Sequence, residues 1–300
     1  MSWLRPDGSL RVGVADVVVT PQDADWTYSG LRVWTLAPGR EVRIELTDEE
    51  GVLVPLSARD VDVTVDGSPY RMTGRPGVFA AVSDWIYVPV GSTLTLRGTG
   101  GDIALCTARA SEVHPVVHTA AEDVPVEVRG AGRATRQITN IATPGSFAGA
   151  HKINVCEVVT PGGNWSSWPP HRHDGIGDCP VTNEEIYYFR IGRGDEPHGD
   201  PSGTGLFRVY TVDGRVDETV TVRDGDVYLV PEGYHGPSAA APDYPMYFLN
   251  VLAGPGADRT MAFCDDPSHH WIREAWADQA QDPRLPWTSA AGRAGAGEGR

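Results

Sequence analysis

Short alternating apolar segments, each bounded by glycine, proline or aspartate, run through most of this chain and constrain its fold. The 300 residues include 35 glycines and 24 prolines, which suit tight turns between strands better than long helices. Near the end, residues 268–279 alone look helical. The pattern therefore predicts an all-β sandwich or barrel with little helix. The predicted strands are residues 11–20, 31–36, 41–46, 61–65, 93–97, 152–160, 185–191, 206–212, 218–222, 227–230 and 245–252.

An internal sequence repeat indicates that one β unit occurs twice. The segments D-W-I-Y-V-P-V-G at 84–91 and D-V-Y-L-V-P-E-G at 226–233 both place an aspartate, a hydrophobic strand and a Pro-x-Gly turn at matching offsets. Because turn chemistry reuses proline and glycine freely, two unrelated turns remain an alternative. We predict an N-terminal domain over residues 1–120, a C-terminal domain over 121–288 and a disordered Gly/Ala/Arg-rich tail at 289–300.

Charge and cysteine usage narrow the class of protein. An acidic surface with a net charge of −15 repels phosphate backbones, so we expect neither nucleic acid nor a membrane as partner. Residues 1–10 lack the apolar core of a signal peptide. Cys106, Cys156, Cys179 and Cys264 form no C-x-x-C pair, so we expect reduced thiols in a cytoplasmic protein.

One stretch in the second half carries the densest set of metal-binding side chains. His171 and His173 are two residues apart, so in a strand both face the same side. Glu185 opens the next predicted strand. Its neighbour Glu184 is the competitor, but alternation with the apolar Ile186 favours Glu185. Two imidazoles and a carboxylate form a nitrogen and oxygen donor set for a metal.

A second stretch supplies one more ligand. In G-D-V-Y-L-V-P-E-G-Y-H at 225–235, a strand ends in a Pro-x-Gly turn and the turn presents a histidine. An isolated H-x-H is common, but here the carboxylate and this histidine follow it in order. We predict one divalent metal, Zn, Mn, Fe or Ni, at a site with the open positions that catalysis needs. The predicted ligands are His171, His173, Glu185 and His235.

The N-terminal half cannot hold such an imidazole site, because the first histidine of the chain is His114. Where the second copy of the repeat has His235, the first copy has Thr93. We therefore expect residues 1–120 to serve as a scaffold or as the half through which a homodimer or higher homo-oligomer forms.

The motif blocks resemble the two motifs of cupins, which are small jelly-roll-type β-barrels, and the duplicated chain resembles a bicupin. The similarity narrows to the 5-deoxy-glucuronate isomerase family of myo-inositol catabolism. It implies a degenerate N-terminal cupin and a metal-binding C-terminal cupin. The segments that carry it are P-G-G-N-W-S-S-W-P-P-H-R-H-D at 161–174, E-E-I-Y-Y-F-R at 184–190, R-V-Y-T at 208–211, the block at 225–235 and Y-F-L-N-V-L-A-G-P at 247–255.

The resemblance implies an intramolecular aldose–ketose isomerisation, in which 5-deoxy-D-glucuronate becomes 5-dehydro-2-deoxy-D-gluconate. A metal can bind the carbonyl and the neighbouring hydroxyl and act as a Lewis acid. Proton transfer needs a further group. Tyr187 shares the face of Glu185 by strand alternation, while Tyr210, Glu157 and Asn250 are looser catalytic candidates.

The partner implied is a small sugar acid, and its carboxylate needs a binding group. The basic residues nearest the motif strands are Arg208, Arg190 and Lys152, and the carboxylate candidates among the site residues are Arg208 and Lys152, with Asn250 as a hydrogen-bonding residue. The alternative for each basic residue is an outward ion pair on a strand.

Three rival functions remain open at this point. The first is a related 5-dehydro-4-deoxy-D-glucuronate ketol-isomerase with the same ligands and reaction class. The second is a metal-holding or sugar-binding cupin without turnover, and the third is an iron-dependent cupin dioxygenase. The extended family resemblance favours the inositol branch, although a cupin fold by itself does not determine function.

Overall fold

The computed structural model describes residues 2–193, 196 and 198–293, and within them β-structure dominates, which confirms the all-β prediction. The strands of the first half are β1 Leu4–Arg5, β2 Val17–Val19, β3 Ser29–Thr35, β4 Glu41–Glu45, β5 Glu49–Pro55, β6 Arg59–Val65, β7 Ser68–Gly74, β8 Trp85–Val88, β9 Thr93–Arg97, β10 Asp102–Arg109 and β11 Val117–Thr119. Those of the second half are β12 Val126–Arg129, β13 Arg136–Asn140, β14 Asn154–Thr160, β15 Trp165–Ser166, β16 His171–Arg172, β17 Glu184–Ile191, β18 Gly205–Tyr210, β19 Asp217–Val222, β20 Val227–Val230, β21 Tyr234–Ala240, β22 Met246–Ala253, β23 Cys264–Asp265, β24 Thr288–Ser289 and β25 Gly292–Arg293. The helices are α1, Trp271–Ala275, and the 3-10 turns Pro21–Ala24, Ala121–Asp123, Gly132–Ala134 and Trp276–Asp278.

Two antiparallel sheets form the first half. One has the strand order β11-β8-β5-β10-β3-β2 and the other has the order β4-β9-β6-β7. The side chains between them are apolar, among them Leu53, Ile86 and Leu96. The interior of this half is therefore filled by a packed hydrophobic core.

The second half also consists of two antiparallel sheets, but its interior is only partly filled. The larger sheet has the order β1-β20-β17-β22-β14-β13-β12, and the smaller has the order β19-β18-β21-β16-β23, with β15 beside β21. Aromatic residues such as Phe189, Phe207 and Phe248 fill part of the space between them. The remaining space is the cavity described below.

The two halves have the same strand topology, and the internal sequence repeat covers equivalent strands in the two halves. The neighbours β8-β5-β10-β3 correspond to β20-β17-β22-β14, and β7-β6-β9-β4 correspond to β19-β18-β21-β16. Asp84 and Asp226, which precede β8 and β20, are both buried and accept backbone N–H groups. Gly91 and Gly233 end the two turns with φ of 83° and 84°, a region that favours glycine.

The larger sheets of the two halves pack against each other around one shared apolar core. Two carboxylates cross this interface reciprocally. Glu50 accepts the backbone N–H groups of residues 151–153, and Glu184 accepts those of residues 27–29. The strand β1 pairs with β20 of the second half, so the start of the chain lies in the sheet of the other half.

The expectation that all four cysteines are reduced is wrong for two of them. Cys179 and Cys264 form a disulfide across 85 residues, with Cα atoms 5.8 Å apart, whereas Cys106 and Cys156 are free and buried. The fold brings the pair together, so the spacing of the cysteines along the chain could not reveal it.

Two local expectations also need correction. Residues 289–293, which were assigned to a disordered tail, belong to a hairpin in which β24 pairs with β25; residues 294–300 lie outside the described residues. The predicted strand at 11–20 is reduced to β2, because Val12 pairs locally with Ala15 in a tight turn. None of the helices in the described part of the chain is long and apolar enough to span a membrane.

Candidate metal centre

His171 and His235 lie on neighbouring strands and are directly opposite each other. Strand β16 pairs with β21 at His171 and His235, and the two ring centroids are 4.4 Å apart. The sequence indicated a turn for His235, but the structure places it at the second position of β21. Its direction is thus set by the sheet, because side chains alternate between the two faces of a strand.

His173 and Glu185 complete the cluster from two further positions. His173 directly follows β16, and Glu185 lies on β17 in the facing sheet. The Oε2 atom of Glu185 is 3.0 Å from Nε2 of His173 and 3.0 Å from Nε2 of His235. One ligand nitrogen from each histidine lies within 4.8 Å of the others. The structure therefore brings the four predicted residues together.

The buried nitrogens of this cluster fit a metal ion better than a closed hydrogen-bond network. Neither ring nitrogen of the fully buried His235 has a well-aligned hydrogen-bond partner, although Nε2 is close to Glu185. Such unpartnered buried atoms are rare in proteins. Nδ1 of His173 faces the carbonyl oxygen of Asn183 at 2.8 Å, which places the proton on Nδ1 and leaves Nε2 for a metal.

Burial and neighbouring charges set the protonation of the cluster. Burial lowers the pKa of His171, and His235 and His173 lower it further. Burial likewise lowers the pKa of His235, against the opposing effect of Glu185. Burial acts to raise the pKa of Glu185, but the two nearby histidines hold that pKa below its usual range. Burial acts to lower the pKa of His173 as well, but the hydrogen bond and charge of Glu185 outweigh it and raise that pKa. A divalent metal binds the neutral imidazoles and the ionised carboxylate, so metal binding would displace a proton shared between His173 and Glu185.

A cavity of about 780 Å³ opens beside the cluster between the two sheets of the second half, and His171, His173 and Glu185 line it. Tyr187 and Asn250 line the same cavity. The hydroxyl of Tyr187 is 3.1 Å from Oγ of Ser167. Burial, with the charge of Glu185, raises the pKa of Tyr187, so this group remains a neutral hydroxyl.

The remaining predicted site residues lie outside this cavity. The hydroxyl of Tyr210 donates to Asp266 at 2.5 Å. Arg208 makes a two-point ion pair with Asp217, at 3.0 and 3.1 Å. Lys152 donates to a backbone carbonyl away from the cavity. The structure does not bring these three to the cluster, because closeness to a motif strand in sequence does not determine the face on which a side chain lies.

Glu157, a looser catalytic candidate, faces the other side of its sheet. Its carboxylate pairs with the buried Arg75 of the first half and accepts a hydrogen bond of 2.7 Å from Tyr247. It therefore belongs to the contact between the two halves and lies away from the cavity.

Sequence reasoning missed the basic residues that do line the cavity. In β13, Arg136, Ile138 and Asn140 alternate and all three reach the cavity. Strand alternation was the signal that could have found them, but residues 136–140 were not recognised as a strand. The cavity-lining basic residues are Arg129, Arg136, Arg259 and Arg273.

Comparisons with known proteins agree with the resemblance seen in the motifs. The model of the KduI/IolB family matches residues 3–272. The 5-deoxy-glucuronate isomerase of Geobacillus kaustophilus (strain HTA426) is 39% identical over 264 residues, which cover 86% of this chain and 91% of that protein. The crystal structure of an IolB-like protein from Salmonella typhimurium LT2 has a TM-score of 0.80 and 33% identity, covering 90% of this chain and 98% of that one.

A more distant structure confirms the cupin fold alone. The oxalate decarboxylase of Bacillus subtilis, which has Mn(II) centres, has a TM-score of 0.56 at 15% identity and covers 83% of this chain and 74% of its own. The bicupin prediction and the resemblance to 5-deoxy-glucuronate isomerases are therefore both confirmed. The chain belongs to the KduI/IolB family.

Proposed function

We propose that this chain is a metal-dependent isomerase that converts 5-deoxy-D-glucuronate to 5-dehydro-2-deoxy-D-gluconate. The curated relatives named 5-deoxy-glucuronate isomerase support the substrate. The observation that carries the proposal is the cluster of three histidines and one glutamate beside a cavity large enough for a sugar acid. A donor set of this kind next to an open space suits catalysis better than a purely structural role.

The cluster His171, His173, Glu185 and His235 would hold one divalent ion, and Zn, Mn, Fe and Ni all suit its nitrogen and oxygen donors. A bound ion would polarise the aldehyde carbonyl and the neighbouring hydroxyl as a Lewis acid. The Mn(II) centres of the fold neighbour from Bacillus subtilis support including Mn among the metals tested.

The isomerisation moves one hydrogen from the alcohol carbon to the aldehyde carbon and one proton from the alcohol oxygen to the aldehyde oxygen, so no external oxidant or reductant is needed. Tyr187 would donate its proton in a hydrogen bond to a substrate oxygen, since its raised pKa keeps it neutral. The buried amide nitrogen of Asn250 has no well-aligned hydrogen-bond partner among the described residues. It lies close enough to the hydroxyl of Tyr187 to act on its pKa and would donate to a second substrate oxygen. Phe248 and Leu252 line the same cavity and would limit access of water to the reacting carbons.

A substrate panel tests this proposal. The purified protein would be supplied in turn with Zn, Mn, Fe and Ni and assayed with 5-deoxy-D-glucuronate and with 5-dehydro-4-deoxy-D-glucuronate. We expect kcat/KM to be at least roughly tenfold higher for the first acid, because a pocket that is complementary to one acid discriminates against the other by about this factor. Preference for the second acid would assign the chain to the related ketol-isomerase. Tight metal binding without turnover of either would indicate a non-catalytic cupin.

Two further expectations from the sequence stay predictions. They are the assembly of a homodimer or higher homo-oligomer through the N-terminal half, and the cytoplasmic location.

A further inference from the structure

Arg136 differs from the other three arginines of the cavity in what its guanidinium contacts. Arg129 pairs with Glu127, and Arg273 makes a two-point ion pair with Asp265. Both charges are thus already balanced by a carboxylate. Arg136 has no ion pair with any described residue.

Arg259 also lacks an ion pair, but its hydrogen-bond donors are in use. It donates to the backbone carbonyls of Ala142 at 3.0 Å, Ile153 at 2.8 Å and Phe147. These bonds tie the connection between β13 and β14 to the segment of Arg259. Arg259 is therefore a structural residue of the cavity wall.

Arg136 keeps part of its guanidinium available. The residue is only 6% exposed, and both of its hydrogen bonds start from Nη1, to the carbonyls of Ala134 at 2.9 Å and Trp168 at 3.5 Å. The guanidinium lies over the ring of Trp276, 5.6 Å from its centroid, a contact that leaves the N–H groups at its edge free. Nε and Nη2 donate to no described residue, and the guanidinium is a fork that matches a carboxylate. Its position on the inward face of β13 directs it into the cavity.

The electrostatic surroundings of Arg136 call for an anion. Burial lowers the pKa of its guanidinium, and the nearby charges of Arg129 and Arg273 lower that pKa further. Arginine stays charged at neutral pH in spite of this. The charge of Glu127 acts in the opposite direction, but Glu127 pairs with Arg129. A buried cation that has no ion pair of its own among the described residues is unfavourable until an anion binds beside it.

Arg136 and the histidine cluster line the same cavity from different positions. Strand β13 is three strands away from that of Glu185, and Gln137, next to Arg136, is level with Val159, Tyr247 and Arg190 in the sheet. Arg190 is five residues along β17 from Glu185, so Arg136 lies toward the end of the cavity remote from the cluster. Arg136 also contacts the carbonyl of Trp168, three residues before His171.

We propose that Arg136 forms the carboxylate-binding subsite of this cavity and positions the sugar acid with its aldehyde end toward the histidine cluster. The inference rests on the function proposed above for the choice of substrate. Recognition of an anion in this position rests on the geometry of Arg136 alone. The subsite would make the enzyme selective for acids over uncharged sugars of the same length.

The kinetic test compares an acid with its neutral counterpart. Wild type, Arg136→Gln and Arg136→Lys would be assayed with 5-deoxy-D-glucuronate and with 5-deoxy-D-glucose, in which a primary alcohol replaces the carboxylate. Arg215→Gln, at an exposed arginine paired with Asp213, is the matched control. We expect Arg136→Gln to lower kcat/KM for the acid on the order of 100-fold and to leave the neutral sugar nearly unchanged. Arg136→Lys should recover part of the loss, because it restores the charge without the fork.

A binding measurement separates failure of this inference from failure of the proposed function. Calorimetric titration with D-gluconate and D-glucitol needs no turnover, and metal content measured on each variant shows whether the centre is intact. The subsite is supported if wild type binds gluconate more tightly than glucitol and if Arg136→Gln loses this preference while its metal content is unchanged. This result would support the subsite even if 5-deoxy-D-glucuronate is not turned over. Equal losses for acid and neutral ligand, or no loss for either, would overturn it.

Discussion

The carboxylates of Glu184 and Glu185, adjacent on strand β17, bind on opposite sides of the sheet. Glu184 accepts the backbone N–H groups of residues 27–29 at 2.7 to 2.8 Å, which ties the first half of the chain to the second. Glu185 places Oε2 3.0 Å from both His173 and His235. Strand alternation thus separates a structural carboxylate from one in the candidate metal centre.

This separation predicts opposite outcomes for two matched substitutions. Glu185→Gln should strip the protein of bound metal and lower kcat about 100-fold or more, because the charged oxygen donor is lost. Glu184→Gln should retain the metal but lower the free energy of unfolding by roughly 1–3 kcal/mol, since three backbone donors lose a charged acceptor. Metal analysis and chemical unfolding of both variants provide the check. Equal metal loss in the two variants would contradict the assignment.

The buried ion pair between Arg75 and Glu157 predicts a strong dependence of stability on both partners. Their side chains are 2% and 3% exposed. Arg75→Met should cost about 3–5 kcal/mol, because it leaves Glu157 buried without its counter-charge. Adding Glu157→Met should recover much of this loss, since apolar replacements of buried pairs are often well tolerated. Chemical unfolding of Arg75→Met, Glu157→Met and the double variant measures these changes in the free energy of unfolding. A double variant less stable than either single one would speak against this explanation.

Asp282 predicts a stability difference that depends on pH. Arg284 is the main cause that lowers the pKa of Asp282, with a further hydrogen bond from Asn164. A folded pKa below the unfolded value of about 3.9 stabilises the protein above that pH. This contribution is lost as the pH falls through the folded pKa. The unfolding midpoint of Asp282→Asn should lie below that of wild type near neutral pH, and the gap should narrow as the pH falls below about 4. A gap that widens in acid would contradict this sign.

The disulfide between Cys179 and Cys264 predicts sensitivity to reductant. It joins the segment after His173 to β23, which pairs with the strand of His171. Reduction should lower the free energy of unfolding by roughly 2–4 kcal/mol, the usual range for a cross-link of this kind. The Cys179→Ser, Cys264→Ser double variant is the control, because its thermal unfolding should no longer respond to reductant. A response of equal size in the double variant would assign the effect to another group.

The metal ligands were accessible from sequence because strand alternation and short motifs determine them locally. His171, His173, Glu185 and the neighbouring Tyr187 follow a period of two within two segments. Arg136 was missed because the sequence around β13 lacks a clear alternating apolar pattern, and its strand is three positions away from that of Glu185 in the sheet.

Other features depended on contacts between distant segments. Arg208 lies in a predicted strand, but its side chain lies on the outer face against Asp217. The pairing of Cys179 with Cys264 and of β1 with β20 joins segments far apart in the chain. Spacing along a sequence carries no information about such contacts, since they depend on the complete topology.

Removal and return of the metal test the central claim most directly. The purified protein would be treated with chelator, dialysed, and assayed with 5-deoxy-D-glucuronate before and after one equivalent of Zn, Mn, Fe or Ni. His171→Ala would be compared with His198→Ala, whose histidine is exposed in a loop outside the cavity. The proposal predicts that chelation abolishes turnover, that at least one metal restores it in wild type and His198→Ala, and that none restores it in His171→Ala. Full activity of the metal-free protein, or of His171→Ala, would contradict a metal-dependent isomerase at this cluster.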